Sequence, residues 1–513
     1  MDESQIAGLA DIVALRFETD KRIEAIQNTL NLTPSTSKVY YVSSSEGNDS
    51  NDGTSAETPF KTITKVNSTL KRQGSSTTVT VCFKRGDTWR GETLNAKSNL
   101  TVTAYGEGDK PVLMASPENG GGTANTSKWT EVKTNIWRYE GSQNWSDVGN
   151  IIFNDGESYA VKITQNRVGD NVYDYVNGNG QNITFESYTD LKNDLNFYHV
   201  DDGYLYLYSV GNPASRFEII EFATDVKLIN ADTDTGNKNI FIDNICFKYT
   251  GAHAVGAAGD NVSPVTKFTV QNCEFYWIGG SIQYRIGNGT SYDRRYGNAI
   301  EIYGACDGFT AINNYIYQVY DAGITIQYGW RGENNSNKYD QKDIDFTNNV
   351  IENCNYSIEY FLTQIPTANE SKISDFTISG NLMWNAGLGF CETRGYWDRS
   401  FSAHIKCQFS APCNRAENFV IENNKMVGIR DQFLHIRTSF DQNSLPLFSG
   451  NTLYGNYDVN GDADSKQGDR IGEVRVTTES QKFVSYNSNV ETYLSENMGD
   501  KYGENNKYYF IFL

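Results

Sequence analysis

The stretch INNYIY, residues 312 to 317, belongs to a set of seven that share one outline. IDNICF, VQNCEF, INNYIY, FTNNVI, ISGNLM, IENNKM and FSGNTL begin at Ile242, Val270, Ile312, Phe346, Ile378, Ile421 and Phe448. Each has an apolar residue, an Asn or Gly two positions later, and an apolar residue five positions later. Seven matches spaced 27 to 43 residues apart are the mark of stacked repeats, each burying its apolar face against the next. Asn and Gly at the third position suit a turn with a left-handed residue, and stacked Asn side chains can bond from rung to rung. Coils of similar length with loops inserted on one face would give the observed spread. The expected fold is therefore all-β, with a solenoid spanning 238–460.

A second apolar residue usually follows a repeat start by twelve: Ile282, Ile324, Ile358, Phe390 and Phe433. Ile300, in NAIEIYG (298–304), precedes Ile324 by 24 and takes the equivalent place one coil earlier. In a strand, Ile300 and Ile302 then face inward and Glu301 outward. Stacked in register, the outward positions run Glu301, Thr325, Glu359. Strands lie about 4.8 Å apart, so the two glutamates are separated by roughly 9.6 Å of backbone. Inverting glycosidases place their acid and base about 6.5 to 9.5 Å apart, retaining ones about 5 to 5.5 Å. The spacing favours inversion. Asp321, in VYDAGITIQ, enters the middle strand near the same place and is a third candidate carboxylate, with Gln327 in the same segment a binding candidate. A solvated surface glutamate is the bland alternative for either position.

Three loops could wall this face: GNGTSYDRRYG (287–297), YGWRGENNSNKYD (328–340) and CETRGYWDRSFSAHIK (391–406). They supply Trp330, Tyr396 and Trp397 for stacking on sugar rings, and Arg295, Arg331 and Arg394 for hydroxyl or carboxylate contacts, with Arg285, Arg294 and Arg399 close by. Neutralisation of neighbouring acids such as Asp293 is the competing explanation. His404 could orient a carboxylate or bind substrate, or be a satisfied structural histidine. Glu392 points inward if a strand begins at Phe390, and outward after a one-residue shift.

The rest of the chain sets the context. Its 513 residues include 33 Tyr, 26 Phe and 45 Gly but only 9 Pro, which suits a turn-rich β protein. A net charge of −19 argues against nucleic acid and anionic membranes as partners, and no apolar run of 18 residues exists to span a bilayer. With no CxxC and no HExxH, neither a metal nor another cofactor has sequence support. An EF-hand reading of GNDSNDG fails, because it puts Pro59 where the bidentate glutamate belongs. Cys246, Cys273, Cys306 and Cys354 read as thiols in a core, whereas Cys407 and Cys413 could pair. Residues 1–37 are read as a helix, over 3–30, and a linker. A weak heptad pattern through Leu9, Val13, Ile23 and Leu30 leaves open whether the helix folds back or forms an oligomerisation stalk. Residues 115–237 carry antiparallel signals such as DDGYLYLYSV and are read as a β-rich inserted subdomain, and 461–513 as a C-terminal β segment ending in KYYFIFL.

YYVSSSEGNDSNDGTSAETPFKTI (40–63), VTVCFKRGDTWRGETL and LTVTAYGEGDKPVL (79–113) resemble the opening coil of the pectate-lyase-like right-handed parallel β-helix superfamily, which here spans 38–114. NAIEIYG, YDAGITIQYG, YSIEYF and GFCETRGYWDRS resemble strand segments of its glycan-active members. That resemblance implies carbohydrate cleavage, with Glu301, Asp321 and Glu359 as the positions carried over. It departs from the polygalacturonase pattern of paired aspartates and an RIK motif, and from the clustered aspartates of pectate lyases. The expected function is a polysaccharide-degrading glycoside hydrolase. A lyase acting on uronic-acid glycans and a non-catalytic glycan adhesin are the alternatives. The N-terminus, MDESQIAGLADIVALRF, lacks a secretory pattern. With the heptad helix, it resembles phage tailspikes and so implies a homotrimer in a virion, a secreted enzyme being the other reading.

Overall fold

The computed structural model describes residues 8–34, 38–164, 166–168, 171–176, 181–199, 203–232, 236–260, 262–285, 293–328, 339–362, 371–394, 402–407, 415–438, 440–456, 473–478 and 490–511. It is mostly β and is organised around long parallel ladders. One is a sheet of ten strands, from Val39–Val42 through Lys238–Asp243, Val265–Gln271, Cys306–Ile312, Gln341–Thr347 and Ile373–Ser379 to Leu447–Ser449, in which every pairing is parallel. Its inward positions are the repeat's apolar residues. Ile240, Phe268, Phe309, Ile344, Phe376 and Phe419 form one buried row, and Ile242, Val270, Ala311, Phe346, Ile378 and Ile421 the next. The β-branched and aromatic content of these rows suits pleated, buried strands, and the rings of Phe376 and Phe419 stack at 4.5 Å.

The turn after each of these strands carries the repeat's polar signature. Asn244, Asn272, Asn313, Asn348, Gly380, Asn423 and Gly450 all have positive φ, where Asn and Gly are tolerated best. At Gly380 a Cβ would lie 2.6 Å from Asn348 Oδ1, so the close approach of neighbouring turns favours glycine there. The next residue forms a column, buried at Asn314, Asn349, Asn381, Asn424 and Asn451 and half-buried at Asn506. Each backbone N–H donates to the Oδ1 of the following Asn, at 2.9 to 3.0 Å. The rung-to-rung asparagine bonding expected from the sequence is present, but at the fourth position of the template. The frame also slips at one repeat: Ala311, and not Ile312, aligns with Val270 and Phe346.

A second parallel ladder runs through Cys246–Thr250, Glu274–Ile278, Leu382–Ala386 and Lys425–Ile429. A third runs through Val255–Gly259, Ile300–Gly304, Ala403–Cys407 and Gln432–Arg437. The strands Tyr315–Tyr328 and Val350–Leu362 belong to both. At Ile282 the expected register fails, since Ser281–Tyr284 pairs antiparallel with Arg294–Tyr296. Phe390 and Phe433 also lose their assigned places, which Ile405 and Leu434 take beside Ile358. The inserted loops changed the count of residues between strands, which a fixed twelve-residue step could not follow.

Between the first two ladders' early and later strands, Trp129–Lys133, Ile136–Tyr139, Leu205–Tyr208 and Asn196–His199 form antiparallel pairs with their own aromatic core around Tyr139, Phe197 and Phe222. Of the DDG that opens DDGYLYLYSV, Asp202 lies outside the described residues, while Gly203 has φ 82°.

The N-terminal helix, α1 (Leu9–Gln27), folds back on the second ladder. Leu15 and Ile26 are buried against Tyr315, Val350, Leu382, Trp384 and Val427. Arg16 pairs with Glu352 at 2.5 Å, and Trp384 Nε1 donates to Thr19 Oγ1 at 3.0 Å. Its buried face is Leu15, Thr19 and Ile26; of the expected seam, Leu9, Val13 and Leu30 stay exposed while Ile23 is partly buried, and Phe17 beside them is exposed as well. Two further helices of nine residues each, Ile63–Lys71 and Val490–Met498, were not foreseen; both cover the core, with Val66, Leu70, Leu494 and Met498 buried. Seven cysteines, including the four expected in the core, are buried; Cys413 lies outside the described residues.

Candidate active site

NAIEIYG forms the strand Ile300–Gly304, with Ile300 and Ile302 fully buried in the core and Glu301 on the opposite face. The pairing places Glu301 beside Thr325, Thr325 beside Glu359, and Glu359 beside Lys406, one column across four strands of the third ladder. Two rungs separate the two glutamates, about 9.6 Å along the ladder. The register expected from the sequence is therefore met here, and for an instructive reason. Between Val319 and Ala322 the long strand carries a β-bulge, an extra residue that offsets the one-residue slip at Ile312. The bulge also re-aims the backbone at Asp321, a common device beside reactive sites.

Both glutamates are enclosed, at 7% and 5% exposure, so neither is the solvated surface residue of the bland reading. Their surroundings differ. Asn298 Nδ2 donates to Glu301 Oε2 at 2.6 Å, and His253 Nδ1 lies 2.8 Å from the same oxygen. Asn298 Oδ1 accepts from the Ala322 N–H at 2.8 Å, so one side chain ties Glu301 to the strand just past the bulge. Burial would raise the pKa of Glu301, but His253 and Asn298 outweigh it and hold the carboxyl below its ordinary value. On the preceding rung the column is occupied by Gly256, where a Cβ would lie 3.6 Å from Lys227 Nζ; this ammonium adds to the same effect.

Glu359 is pushed the other way, up to about 7. Burial is the main cause, Asp321 adds to it by like-charge repulsion, and Lys406 and Arg394 oppose it. Lys406 Nζ lies 3.5 Å from Glu359 Oε1 and 3.5 Å from the centre of the Tyr356 ring. Burial works against its charge, yet Tyr356 and Glu359 keep the ammonium's value raised. Arg394 Nη1 donates to Asp321 Oδ1 at 3.1 Å and to the Tyr320 carbonyl at 2.7 Å. Two carboxyl groups in one column, one held ionised and one still partly protonated near neutral pH, are an arrangement that can divide base from acid.

Of the residues singled out in the sequence, the structure brings together Glu301, Asp321, Glu359 and Arg394. Gln327 is half-buried between Tyr303 and Phe361, two positions past Thr325 in its strand. Arg295 is a correction. It is buried, donates to the carbonyls of Gly280, Gly149 and Thr393, and lies over the Tyr320 ring, so it braces the segments behind the site. His404 is another: its Nδ1 lies 3.1 Å from Ser357 Oγ and its Nε2 2.9 Å from the Gly428 carbonyl, and burial pushes it down to about 4. It is a neutral, internally bonded histidine. Glu392 sits in a 3₁₀ turn, Gly389–Thr393, and not a strand, accepting from the Gly389 N–H. Arg285 lies 3.9 Å from Asp293, as the charge-neutralisation reading expected. Trp330, Arg331, Tyr396, Trp397 and Arg399 lie outside the described residues.

Sequence reasoning missed His253, Asn298 and Lys406. Lys406 was within reach, being next in the column once Ile405 replaces Phe390 as the inward anchor. His253, in GAHAVG, carries no local signal and meets Glu301 only through the stacking. Among the described residues, no cluster of three His, Cys, Asp or Glu side chains is placed to hold a metal ion.

No protein-family model matches the chain. It is similar to a lacto-N-biosidase of Bifidobacterium longum subsp. longum, 35% identical over 97 residues, which is 17% of this chain and 6% of that protein. The chain thus matches only a small part of that relative's length. Among solved structures it is similar to one described as a glycoside hydrolase, with a TM-score of 0.48 at 13% identity over 93% of this chain and 96% of the other. It is also similar to the GH136 lacto-N-biosidase of Eubacterium ramulus, with a TM-score of 0.34 at 11% identity over 86% and 65%. These similar proteins are glycoside hydrolases.

Proposed function

We propose that this protein is a glycoside hydrolase that cleaves a polysaccharide along the third ladder, with Glu359 as general acid and Glu301 as general base. The observation that carries this is the division of the two in-register carboxyl groups: Glu359 raised to about 7 by burial and Asp321, Glu301 lowered by His253 and Asn298. The separation of about 9.6 Å along the backbone supports direct displacement by water with inversion. Asp321 acts through charge, keeping the Glu359 proton in place until the leaving oxygen takes it. The similarity to lacto-N-biosidases supports a glycosidic bond as the target. The parallel ladders, with three strands in each repeat, support the right-handed parallel β-helix expected from the sequence.

The test is incubation with a panel of plant, host and bacterial-surface glycans, following new reducing ends and the anomeric form of the first product by NMR. Inverted product from the wild type, lost in Glu359→Gln and Glu301→Gln, is the expected result. Product with a new carbon–carbon double bond would instead make it a lyase, and binding without cleavage an adhesin. Assembly as a trimer is a separate proposal, supported by the exposed Leu9, Val13 and Phe17, and checked by light scattering.

A further inference from the structure

The strand Ile300–Gly304 carries two side chains on its outer face, Glu301 and, two residues on, Tyr303. Among the described residues four aromatic side chains are exposed: Phe17, Tyr284, Tyr303 and Phe440. Tyr303, at 40% exposure, is the one carried by the third ladder. A lone aromatic on a surface is ordinary, but this ring is held in place. It lies 5.5 Å from the ring of Tyr328, which is buried and stacks at 3.7 Å on Tyr339. Three tyrosines from separate parts of the sequence thus meet at the end of the strand, with Tyr328 as the brace. In the ladder, Tyr303 stands between Ala258 and the half-buried Gln327. The methyl group of Ala258 is too small to cover the ring.

We infer that Tyr303 is a substrate-binding residue, on whose ring a sugar next to the one being cleaved stacks its C–H face while the Gln327 amide bonds that sugar's hydroxyls. The inference rests on the hydrolase reading above. A sugar ring presents an apolar C–H face and a polar rim, and an aromatic ring beside a planar amide matches both. Because its neighbours already fix the ring, little side-chain freedom is lost when the sugar binds. Tyr303 touches a neighbouring sugar and not the bond that breaks, so its contact is the same before and during cleavage. Such a contact lowers KM and leaves kcat alone.

The experiment uses the full-length chain and the plant, host and bacterial-surface glycans of the panel above, printed as an array. Binding is read with Glu359→Gln, which stops turnover, alone and combined with Tyr303→Ala or Tyr303→Phe. Tyr303→Ala should weaken the apparent Kd for the bound glycans by about tenfold, and Tyr303→Phe, which keeps the ring, should restore most of that loss. With Glu359 intact, Tyr303→Ala should raise KM by about the same factor at constant kcat, and its Tm should stay within a few degrees of the wild type. Unchanged Kd and KM in the alanine variant would overturn the inference. A fall in kcat at constant KM would overturn it too, as would an equal loss in Tyr303→Phe, which places the contact on the hydroxyl, or a large fall in Tm, which makes the ring structural. Tyr303-dependent binding by a wild type that cleaves nothing removes the hydrolase reading and keeps the ring as a glycan contact. Cleavage indifferent to Tyr303 removes the ring's role alone, and no binding anywhere on the array removes both.

Discussion

Two columns of polar side chains run along the same stack of strands, and they are built on opposite terms. The asparagines from Asn314 to Asn451 are buried and bonded at both ends: Asn381 donates to the Phe346 carbonyl and to Asn424 Oδ1, while its own Oδ1 accepts from the Asn349 N–H and Nδ2. The column of Glu301, Thr325, Glu359 and Lys406 is equally buried but divided, with one carboxyl favoured as the anion, one favoured as the acid, and a hydroxyl between them that bonds to neither. Neutral amides can satisfy one another indefinitely along a repeat, whereas charges in a low-dielectric interior must be balanced one by one. A closed network fixes the spacing of the strands, and the column that stays open can exchange protons with a substrate.

The widest break in this contrast comes from neutralising the acid. Glu359→Gln keeps the shape and removes the transferable proton, so kcat should fall by about 10²- to 10⁴-fold, the usual worth of a positioned acid or base. Steady-state kinetics beside a circular dichroism melt checks it: activity should go while the fold remains. The reverse dissociation is expected in the other column. Asn381→Leu strands the Asn349 N–H and the Phe346 carbonyl, while Asn424 Oδ1 keeps the Asn381 backbone N–H, and should cost about 2 to 5 kcal/mol of stability, at about 1 to 3 kcal/mol for each orphaned group with partial relaxation. Urea denaturation reads that loss, and kcat of the folded fraction should stay at the wild-type value.

How far the sequence foretold each column follows from the same difference. The asparagine turns repeat with the fold, so NN and GN pairs after an apolar residue announce them, even though the bonded residue is the second of each pair. The register of Glu301 with Glu359 was legible because Ile300, Ile324 and Ile358 mark the inward face on either side. It survived only because the bulge at Tyr320 and Asp321 cancels the slip at Ile312. Arg295 and His404 misled because arginine and histidine in a loop look alike whether they face substrate or carbonyls; what decides is burial, which no local pattern reports. His253 reaches Glu301 across 48 positions of sequence, and Lys406 lies behind an inserted loop that shifts the count. The chemistry of the site thus depends most on the residues that the repeat does not govern.

The finest contrast lies within the open column itself, in how its neighbours set the Glu359 proton. An acid must be protonated to work, so with the carboxyl raised to about 7 the activity should be full at lower pH on this limb and be lost as pH rises through about 7. Lys406 opposes the rise and Asp321 adds to it. Lys406→Met should therefore carry the falling limb of the kcat profile to higher pH, and Asp321→Asn should carry it to lower pH. The two shifts have opposite signs, which a general loss of structure could not produce. Stability follows the same proton: the folded chain holds it up to about 7 while the unfolded chain releases it near 4.5. Glu359 thus favours the fold fully below about 4.5, and that contribution is lost as pH rises through about 7. In Glu359→Gln this part of the pH dependence of unfolding should disappear. If it persists in that variant while the kinetic limb is gone, the stability change belongs to other groups and only the catalytic assignment of Glu359 stands.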